Sequence, residues 1–364
     1  MPKRLADTVA TPGLTVLERG WLSSNNVLLH DAHHDPRDDA SGDISGDASG
    51  DAQHVTQHSA VSGDAQHVTQ HSAVSSDAQH VTRHGAVLVD SGHCLHAAQT
   101  VALVRRALKA NGQHLAELVN THLHSDHCGG NAALQQAFGM PVAVPQRSWA
   151  AVQAWDEAAL SFHSTGQQMR RFTAQRGLTP GGTLVVGGRS WDCLAAPGHD
   201  ADSLVLFDAR HGVLISADAL WENGFGVVFE ELAGQPAFDA VAATLDLIES
   251  LPVASVIPGH GAPFSDVAAA MARARSRLAA FVANPLRHAR HGIKVLLKYH
   301  LMEVRQEPRA AFDAWAARTP LLEATWQHHG QGAAPSALVW CQALLGELVT
   351  AGVVGEQDGV VFDR

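Results

Sequence analysis

The 364-residue sequence has few cysteines and no long apolar run, and both shortages limit what the protein can be. Its four cysteines, Cys94, Cys128, Cys193 and Cys341, form no Cys-x-x-Cys pair, which favours a reducing compartment over a disulfide framework. No run is long enough to span a bilayer, and the basic residues near the N-terminus are not followed by the apolar segment of a signal peptide. We therefore expect a cytoplasmic protein with no membrane association.

Acidic residues are concentrated in one segment. Residues 31–80 contain nine aspartates and one arginine, so most of the net charge of −11 belongs there and says little about the substrate. A thirteen-residue unit begins at Asp51, again at Asp64 and a third time at Asp77. The units lack large apolar residues, so we interpret residues 31–84 as a disordered low-complexity insertion in a β-hairpin. Paired histidines in each unit could hold a metal on a helix face, but a passive duplicated loop is the preferred explanation.

The most informative stretch is Thr-His-Leu-His-Ser-Asp-His, residues 121–127, which follows an apolar run. Because side chains alternate along an extended chain, His122 and His124 would lie on the same side of it. The chain then turns towards a helix, so Asp126 and His127 can point at a second position beside the first. Neutral imidazoles and carboxylates are ligands that zinc, iron and manganese accept. The stretch therefore predicts a metal site.

This string resembles the His-x-His-x-Asp-His signature of the metallo-β-lactamase superfamily. Four further elements of that family are present in the expected order, each after an apolar run of β type. Asp90 ends an early strand and His199 follows a Pro-Gly turn. Asp218 ends a later strand, and His260 lies in a Gly-His turn. The resemblance covers roughly residues 14–270 and implies the α+β class, as a four-layer αββα sandwich.

The resemblance also implies two divalent metal ions, with zinc expected and iron or manganese suited to the same ligands. The implied ligands of the first ion are His122, His124 and His199, and those of the second are Asp126, His127 and His260. Asp218 would bridge the two ions. Two such ions lower the pKa of a bridging water and polarise a carbonyl or phosphoryl oxygen. Asp126 would also act in catalysis by orienting the resulting hydroxide or accepting its proton. Asp90 would accept the free N–H of a ligand histidine and fix its tautomer.

The implied activity is that of a dinuclear metal-dependent hydrolase whose metal-bridging hydroxide attacks a small-molecule acyl bond. A thioester, as in the glyoxalase II branch, an ester or a lactone is the favoured substrate. The alternative is a phosphodiesterase or ribonuclease that binds nucleic acid through the basic C-terminal region. The lack of a large β-CASP-type insertion after Asp218 counts against the specialised RNA-processing branch. An exported β-lactamase, a flavodiiron-like or persulfide-oxidising redox protein and a non-enzymatic scaffold are each disfavoured.

The C-terminal region differs in composition from the rest of the chain. Arginine and lysine become frequent over residues 271–309, and an amphipathic helix at 335–351 precedes a hairpin signal with an Asp-Gly turn. Helices that end in a hairpin resemble the winged-helix-like tail of some superfamily members. We therefore expect a catalytic domain, residues 1–270, and a small helical C-terminal domain, residues 271–364. Aromatic residues suited to base stacking are sparse there, so we prefer a packing module or a homodimer interface to a nucleic-acid surface.

Three further expectations concern the surroundings of the site. Residues 146–178 are helical in composition, and in this family the corresponding stretch often covers the active-site mouth, so their apolar side chains are expected either to line a substrate pocket or to pack on the core. Residues 221–226 directly follow Asp218 and are expected to flank the site. Cys128 is expected to be an ordinary buried thiol, because Asp218 already fills the position of the carboxylate ligand.

Overall fold

A computed structural model describes residues 13–31, 80–167 and 169–364. For residues 80–82 it describes the backbone alone. Most of the predicted insertion, including the first two histidine-containing units, lies outside the described residues. Within the described ranges, none of the helices combines the length and the apolar character that a bilayer-spanning segment needs.

The first of two large sheets has six strands and carries the predicted metal loop near its middle. Its strands, in spatial order, are β1 (Leu14–Leu17), β2 (Asn26–Leu29), β4 (Ala86–Val89), β5 (Leu115–Val119), β6 (Val142–Pro145) and β7 (Arg176–Leu178). The strands β1, β2 and β4 pair antiparallel, whereas β4 to β7 run parallel to one another. Every residue of β4 and β6 is buried, which explains why these strands are continuous apolar runs in the sequence.

The second sheet also has six strands and is largely antiparallel. Its strands, in spatial order, are β12 (Ser255–Pro258), β11 (Val213–Ala217), β10 (Leu204–Asp208), β9 (Arg189–Ala195), β8 (Thr183–Val186) and β3 (His80–Arg83). The strands β8 to β11 form an antiparallel meander. At the two edges, β12 pairs parallel to β11 and β3 pairs parallel to β8.

Strand β3 corrects the predicted extent of the insertion. We expected residues 31–84 to be an insertion within one hairpin, but β3 joins the second sheet, while β2 and β4 pair with each other in the first. Arg83 of β3 donates two hydrogen bonds to the carboxylate of Glu117 in β5, and Arg176 of β7 donates two more. Glu117 is fully buried, and a buried carboxylate is tolerated only when it is paired in this way.

Some of the helices cover the outer faces of the two sheets, and others form the C-terminal part of the chain. In chain order the α-helices of the described residues are α1 (Ala97–Ala110), α2 (Ser125–Cys128), α3 (Asn131–Phe138), α4 (Trp149–Ala154), α5 (Phe162–Thr165), α6 (Phe229–Leu232), α7 (Phe238–Ser250), α8 (Val267–Ala283), α9 (Pro285–Val304), α10 (Arg309–Arg318), α11 (Pro320–Thr325) and α12 (Ala337–Thr350). Helices α1 and α3 pack on the first sheet, and α7 and α8 pack on the second. Between the sheets, Val89 and Val119 share an apolar core with Trp191 and Ile215. The predicted αββα sandwich is confirmed.

The C-terminal part has the element order expected of a winged-helix-like tail. After α9 come β13 (Gln306–Pro308), the helices α10 to α12, β14 (Val354–Gln357) and β15 (Val360–Asp363), and the strands form a sheet in the order β13-β15-β14. The β14–β15 hairpin turns at Asp358 and Gly359, whose φ values are +52° and +72°. Positive φ at both central residues is what a tight hairpin turn requires, so the predicted Asp-Gly turn is confirmed.

The boundary predicted between the two domains, at residue 271, falls within α8. Met271 and Ala274 of this helix pack in the apolar core on the second sheet, so α8 completes the outer layer of the sandwich. The chain breaks direction at Asn284, whose side chain accepts a hydrogen bond from the backbone N–H of Arg287 and caps the start of α9. The division into two domains stays a prediction.

The segment 146–178, predicted to be helical, is mostly irregular. Its described residues form the two short helices α4 and α5 and the strand β7. Trp155 directly follows the end of α4 and Ser161 directly precedes α5, and these two residues have φ values of +54° and +61°. A left-handed backbone is unfavourable for residues other than glycine and cannot continue a right-handed helix, so the helical composition of the segment does not produce one long helix.

Candidate metal centre

The candidate metal centre lies where the C-terminal ends of five strands meet. Asp90 follows β4, the residues 121–127 follow β5, His199 follows β9, Asp218 follows β11 and His260 follows β12. Strands β4 and β5 are parallel, and β9, β11 and β12 all run in the direction opposite to β10. Residues far apart in the sequence are therefore brought together at one edge of the sandwich, the edge where open sheets commonly bind ligands.

Three histidines, His122, His124 and His199, form the first cluster, in which one nitrogen of each ring points at a common centre. The Nε2 atom of His122 lies 3.1 Å from Nδ1 of His124, which lies 2.8 Å from Nε2 of His199. The outer Nδ1 of His199 is 2.6 Å from the carbonyl oxygen of Val227. Because a carbonyl oxygen only accepts, Nδ1 carries the proton and Nε2 faces the centre as an acceptor.

The charge state of these three rings suits a bound cation. Burial lowers the pKa of His122 well below its usual value, and it lowers the pKa of both His124 and His199 to about 4. The rings are therefore neutral at pH 7, and neutral imidazole is the form that binds a metal ion. Nitrogen lone pairs this close repel unless a proton or a cation lies between them. One divalent cation at the centre would satisfy all three at once.

The second cluster combines two carboxylates with two histidines: Asp126, His127, Asp218 and His260. The Nε2 atom of His260 lies 2.9 Å from Oδ2 of Asp126. The Nε2 atom of His127 lies 3.3 Å from Oδ1 of Asp218, but it is buried and makes no hydrogen bond of acceptable geometry with the described residues. A buried polar atom without a partner is uncommon and indicates a site for a missing partner, here one that would accept a lone pair.

Electrostatics also favour a cation at the second cluster. Burial by itself lowers the pKa of His127, but Asp218, Asp90 and Asp126 together raise it well above its usual value. Burial by itself would raise the pKa of Asp126 and Asp218, yet the neighbouring His127 lowers that of Asp126 to about 2 and that of Asp218 well below its usual value. Three carboxylates thus surround one ring, and a divalent cation can take the place of its proton. Two imidazoles and two carboxylates suit zinc, iron or manganese.

The carboxylate of Asp218 faces both clusters. Its Oδ2 lies 3.3 Å from Nε2 of His199 in the first cluster, and its Oδ1 lies 3.3 Å from Nε2 of His127 in the second. The preceding residue, Ala217, has a φ of +46°, a value that residues other than glycine rarely adopt. On the other side, a Cβ added at Gly259 would lie 2.2 Å from Oδ1 of Asp218. Only glycine leaves room for the carboxylate at that position.

Asp90 lies beside His127. Its carboxylate accepts hydrogen bonds from the backbone N–H and the hydroxyl of Thr121, at 2.9 and 2.8 Å, and from Nδ1 of His127, at 2.8 Å. The bond to Nδ1 leaves Nε2 of His127 free to face the second cluster. The Thr121 hydroxyl is 3.1 Å from Nδ1 of His122 and has already donated its proton to Asp90, so it accepts there and fixes the tautomer of that ring as well.

Cys128 belongs to neither cluster. Its thiol is buried and donates to the carbonyl oxygens of Leu123 and His124, at 3.2 and 3.3 Å. Burial raises the pKa of this thiol well above its usual value, so it stays protonated. The prediction of an ordinary buried thiol is confirmed.

A cavity of about 450 Å³ opens onto both clusters. Its walls include aromatic and aliphatic side chains, and its floor includes His124, His199, Asp126, Asp218 and His260. Trp221, Glu222 and Asn223 line it as well, so the prediction that the segment after Asp218 flanks the site is confirmed. The indole N–H of Trp221 donates to Oδ1 of Asp218 at 3.1 Å, a contact that holds this carboxylate in position.

The expectation that residues 146–178 could line the pocket is largely wrong. Of the described residues of this segment, Gln167 alone lines the cavity. Trp155 contacts both Phe162 and Phe172, and all three side chains pack in the apolar core on the first sheet. The segment therefore takes the second of its two expected roles, packing on the core.

Sequence reasoning missed several residues that line the cavity: Trp21, Phe229, Arg277, His291 and Tyr299. Trp21 is 61% exposed, stacks on His260 with ring centres 5.4 Å apart, and lies on a loop held by hydrogen bonds to the backbone of Asp126 and Gly259. Arg277 and Tyr299 come from α8 and α9. The basic composition of that region is evident in the sequence, but nothing in it indicates a position beside the metal motif.

Comparison with known proteins agrees with this geometry. The family model of the metallo-beta-lactamase superfamily matches residues 80–260. A hydroxyacylglutathione hydrolase of Bdellovibrio bacteriovorus is 28% identical over 150 residues, which are 41% of this chain and 50% of that protein. A hydroxyacylglutathione hydrolase of a Bradyrhizobium species is 34% identical over 126 residues, which are 34% of this chain and 42% of that protein. The chain thus spans about half or less of the length of these curated relatives.

Two solved structures resemble the chain over most of its length. A metallo-beta-lactamase family protein from Thermus thermophilus has 18% identity and a TM-score of 0.48, over 97% of this chain and 99% of that one. A beta-lactamase domain protein from Burkholderia ambifaria has 18% identity and a TM-score of 0.49, over 98% and 93%. The family match over residues 80–260 and the observed sandwich agree with each other. On these grounds the chain belongs to the metallo-β-lactamase superfamily.

Proposed function

We propose that the protein is a metal-dependent hydrolase that cleaves a thioester of a small molecule and uses two divalent metal ions, expected to be zinc. The observation that carries the proposal is the position of the Asp218 carboxylate, which faces both clusters at the floor of one cavity. A carboxylate shared between two clusters is what a two-metal site needs. Esters and lactones remain within the same reaction class.

The two clusters support the division of ligands expected from the sequence. We assign His122, His124 and His199 to one ion, Asp126, His127 and His260 to the other, and Asp218 to both. When bound, such ions lower the pKa of a coordinated water and polarise the carbonyl that it attacks. Iron or manganese would fit the same imidazole and carboxylate donors.

The remaining chemistry falls to side chains of this chain. Asp126 lines the cavity, and its pKa of about 2 keeps it ionised at neutral pH, so we assign it the role of accepting a hydrogen bond from the attacking water and orienting it. Asp90 holds the ring of His127 through Nδ1. A thiol leaves easily, because its pKa of about 8.5 is far below that of an alcohol, so the reaction needs no strong general acid.

The size and lining of the cavity support a small acyl substrate. A volume of about 450 Å³ is within the range of small-molecule sites, and its walls are largely apolar. The curated relatives described above are named hydroxyacylglutathione hydrolases, and an acylglutathione is a thioester. Cleavage of RNA is the second candidate, because Arg277 lines the cavity at the beginning of a basic region.

The test is a rate assay on the metal-loaded protein with an acyl thioester, a lactone and single-stranded RNA. We expect thioester turnover that falls by at least about a thousandfold in His199→Ala, because that variant loses a metal ligand. His163→Ala is the matched control, since this histidine is exposed and lies outside both clusters. Turnover of RNA without turnover of either acyl substrate would reject the thioesterase proposal in favour of the second candidate.

A further inference from the structure

The cavity at the metal centre continues into a groove along α8 and α9. A neighbouring cavity of about 660 Å³ shares Asn223, Arg277 and His291 with it. A third, of about 420 Å³, shares Arg287 and His291 with the second. We name this continuation the basic groove, defined by its basic lining residues: Arg273, Arg277, Arg287, Arg290, His291 and Lys294. A substrate at the metals could therefore extend into it without leaving the protein surface.

Positive charge in the basic groove is only partly neutralised. Arg290 and Lys294 both pair with Glu347, and Arg273 donates to the carbonyl oxygen of Glu222. By contrast, Arg277 and Arg287 have no carboxylate within ion-pair distance among the described residues. Neither of the two outer cavities has an aspartate or glutamate in its described lining. Two arginines that share a concave surface in this way form a natural site for an anion.

Arg277 is held in place by the loop that follows Asp218. Its guanidinium lies against Gly224, where an added Cβ would be 2.9 Å from Cζ, and within 3.5 Å of the carbonyl oxygen of Phe225. Burial, together with the charge of Arg287, lowers the pKa of Arg277. The half-buried guanidinium is thus kept beside the cavity without a counter-charge. An arginine fork suits bidentate binding of a phosphoryl group.

We propose that the thiol half of the thioester substrate carries phosphoryl groups, which bind Arg277 and Arg287 in the basic groove while the acyl half lies at the metal centre. This inference rests on the proposed function. In the reaction, water adds to the thioester carbonyl, the C–S bond breaks, and the products are a carboxylic acid and a free thiol. The groove takes no part in these bond changes. It binds the phosphoryl groups of the departing thiol.

The test compares two thioesters that differ in their phosphates. S-acetylpantetheine and acetyl-coenzyme A present the same acyl and thiol groups, but only the second carries phosphoryl groups. We expect the metal-loaded protein to hydrolyse acetyl-coenzyme A with a kcat/KM about tenfold higher or more, mostly through a lower KM. Arg277→Gln and Arg287→Gln should each remove about tenfold of this preference. Because Arg287 does not line the cavity at the metal centre, Arg287→Gln should change S-acetylpantetheine hydrolysis less than about twofold.

The matched control is Arg275→Gln, which removes the same charge from α8. Arg275 pairs with Asp246 and Glu249 and lies outside the groove, so both substrates should be hydrolysed as in the wild type. Equal hydrolysis of the two thioesters by the wild type would overturn the proposal and leave the thioesterase function standing.

Calorimetric titration with coenzyme A separates the two proposals, because it needs no turnover. Binding that is lost in Arg287→Gln, in a protein that hydrolyses neither thioester, would reject the proposed function and keep the anion site. Binding of a single-stranded RNA oligonucleotide that is lost in the same variant, with no binding of coenzyme A, would assign the groove to a polynucleotide and overturn the inference.

Discussion

Single residues at the candidate centre adopt backbone conformations that few side chains tolerate. Asp90 and Ala217 each end a strand with a positive φ, +58° and +46° respectively. A conformation of this kind costs on the order of 1–3 kcal/mol and persists only where its surroundings determine it strongly. For Asp90, the three hydrogen bonds from Thr121 and His127 provide that determination. Strain and a dense network therefore occur at the same few residues, as is common at functional sites.

The role of Asp90 leads to a prediction about metal binding. In Asp90→Ala, the ring of His127 loses the acceptor that fixes its orientation, so affinity for the second metal should fall about 10–100-fold. The measurement is metal content after equilibration with a chelator at graded concentrations. Asp208→Ala is the matched control, because Asp208 is an equally buried carboxylate that pairs with a histidine at the opposite end of β11. Equal loss of metal in both variants would mean that Asp90 acts only through general stability.

Residue by residue, the sequence revealed the inner part of the centre but not its walls. The metal motif and the four further elements are short, and each follows an apolar run. Their convergence was implied by the resemblance to the metallo-β-lactamase superfamily, which assigns each of them a place in one site. Trp21, Arg277 and Tyr299 line the same cavity from a turn and two helices whose positions depend on packing. A sequence pattern does not record such packing.

Among the elements, α9 contacts the sandwich through the polar side chains of Tyr299 and Glu303. The hydroxyl of Tyr299 lies 2.8 Å from that of Ser125, at the start of α2. Near the end of α9, the carboxylate of Glu303 accepts a hydrogen bond from Nε2 of His93 at 2.9 Å. His93 follows β4 and is 1% exposed, so this pair is an internal contact between α9 and the sandwich.

The His93–Glu303 pair predicts a pH-dependent stability. Burial by itself lowers the pKa of His93, but the hydrogen bonds with Cys94 and Glu303 raise it to about 9. Because the folded-state pKa exceeds the unfolded value of about 6.5, this stabilisation is complete below about pH 6.5 and is lost as the pH rises through about 9. Glu303→Gln should lower the free energy of unfolding by about 1.5–3 kcal/mol at pH 6 and by much less at pH 9.5. Urea-induced unfolding at both pH values provides the measurement.

Glu347→Gln is the matched control for this prediction. Glu347 pairs with Arg290 and Lys294, whose charges do not change between pH 6 and 9.5, so the effect of the variant should be nearly the same at both. If Glu303→Gln also destabilised the protein equally at the two pH values, the pair would not contain a protonated His93.

For the molecule as a whole, the layer order followed from the sequence more reliably than the extent of each region. Apolar runs and amphipathic patterns indicate individual strands and helices, and the resemblance carried by the metal motif implied that they form the sandwich. The end of the insertion was misjudged because β3 is only four residues long and gains its stability from β8 and from the Arg83–Glu117 pair. The amino-acid composition of β3 and its neighbours in the sequence indicates neither contact. The expected homodimer stays a prediction.

The insertion allows a final prediction about the whole protein. The described residues that form both clusters and the cavity all lie outside 32–79, and β3 begins at His80. Because lengthening a surface loop costs little free energy, removing residues 40–76 should leave thioester turnover and metal content within about twofold of the wild type. A full-length variant with His54, His58, His67 and His71 changed to glutamine tests the histidines separately. Metal loss in the deletion but not in this variant would indicate that the segment supports the fold, and loss in both would show that its histidines contribute to metal binding.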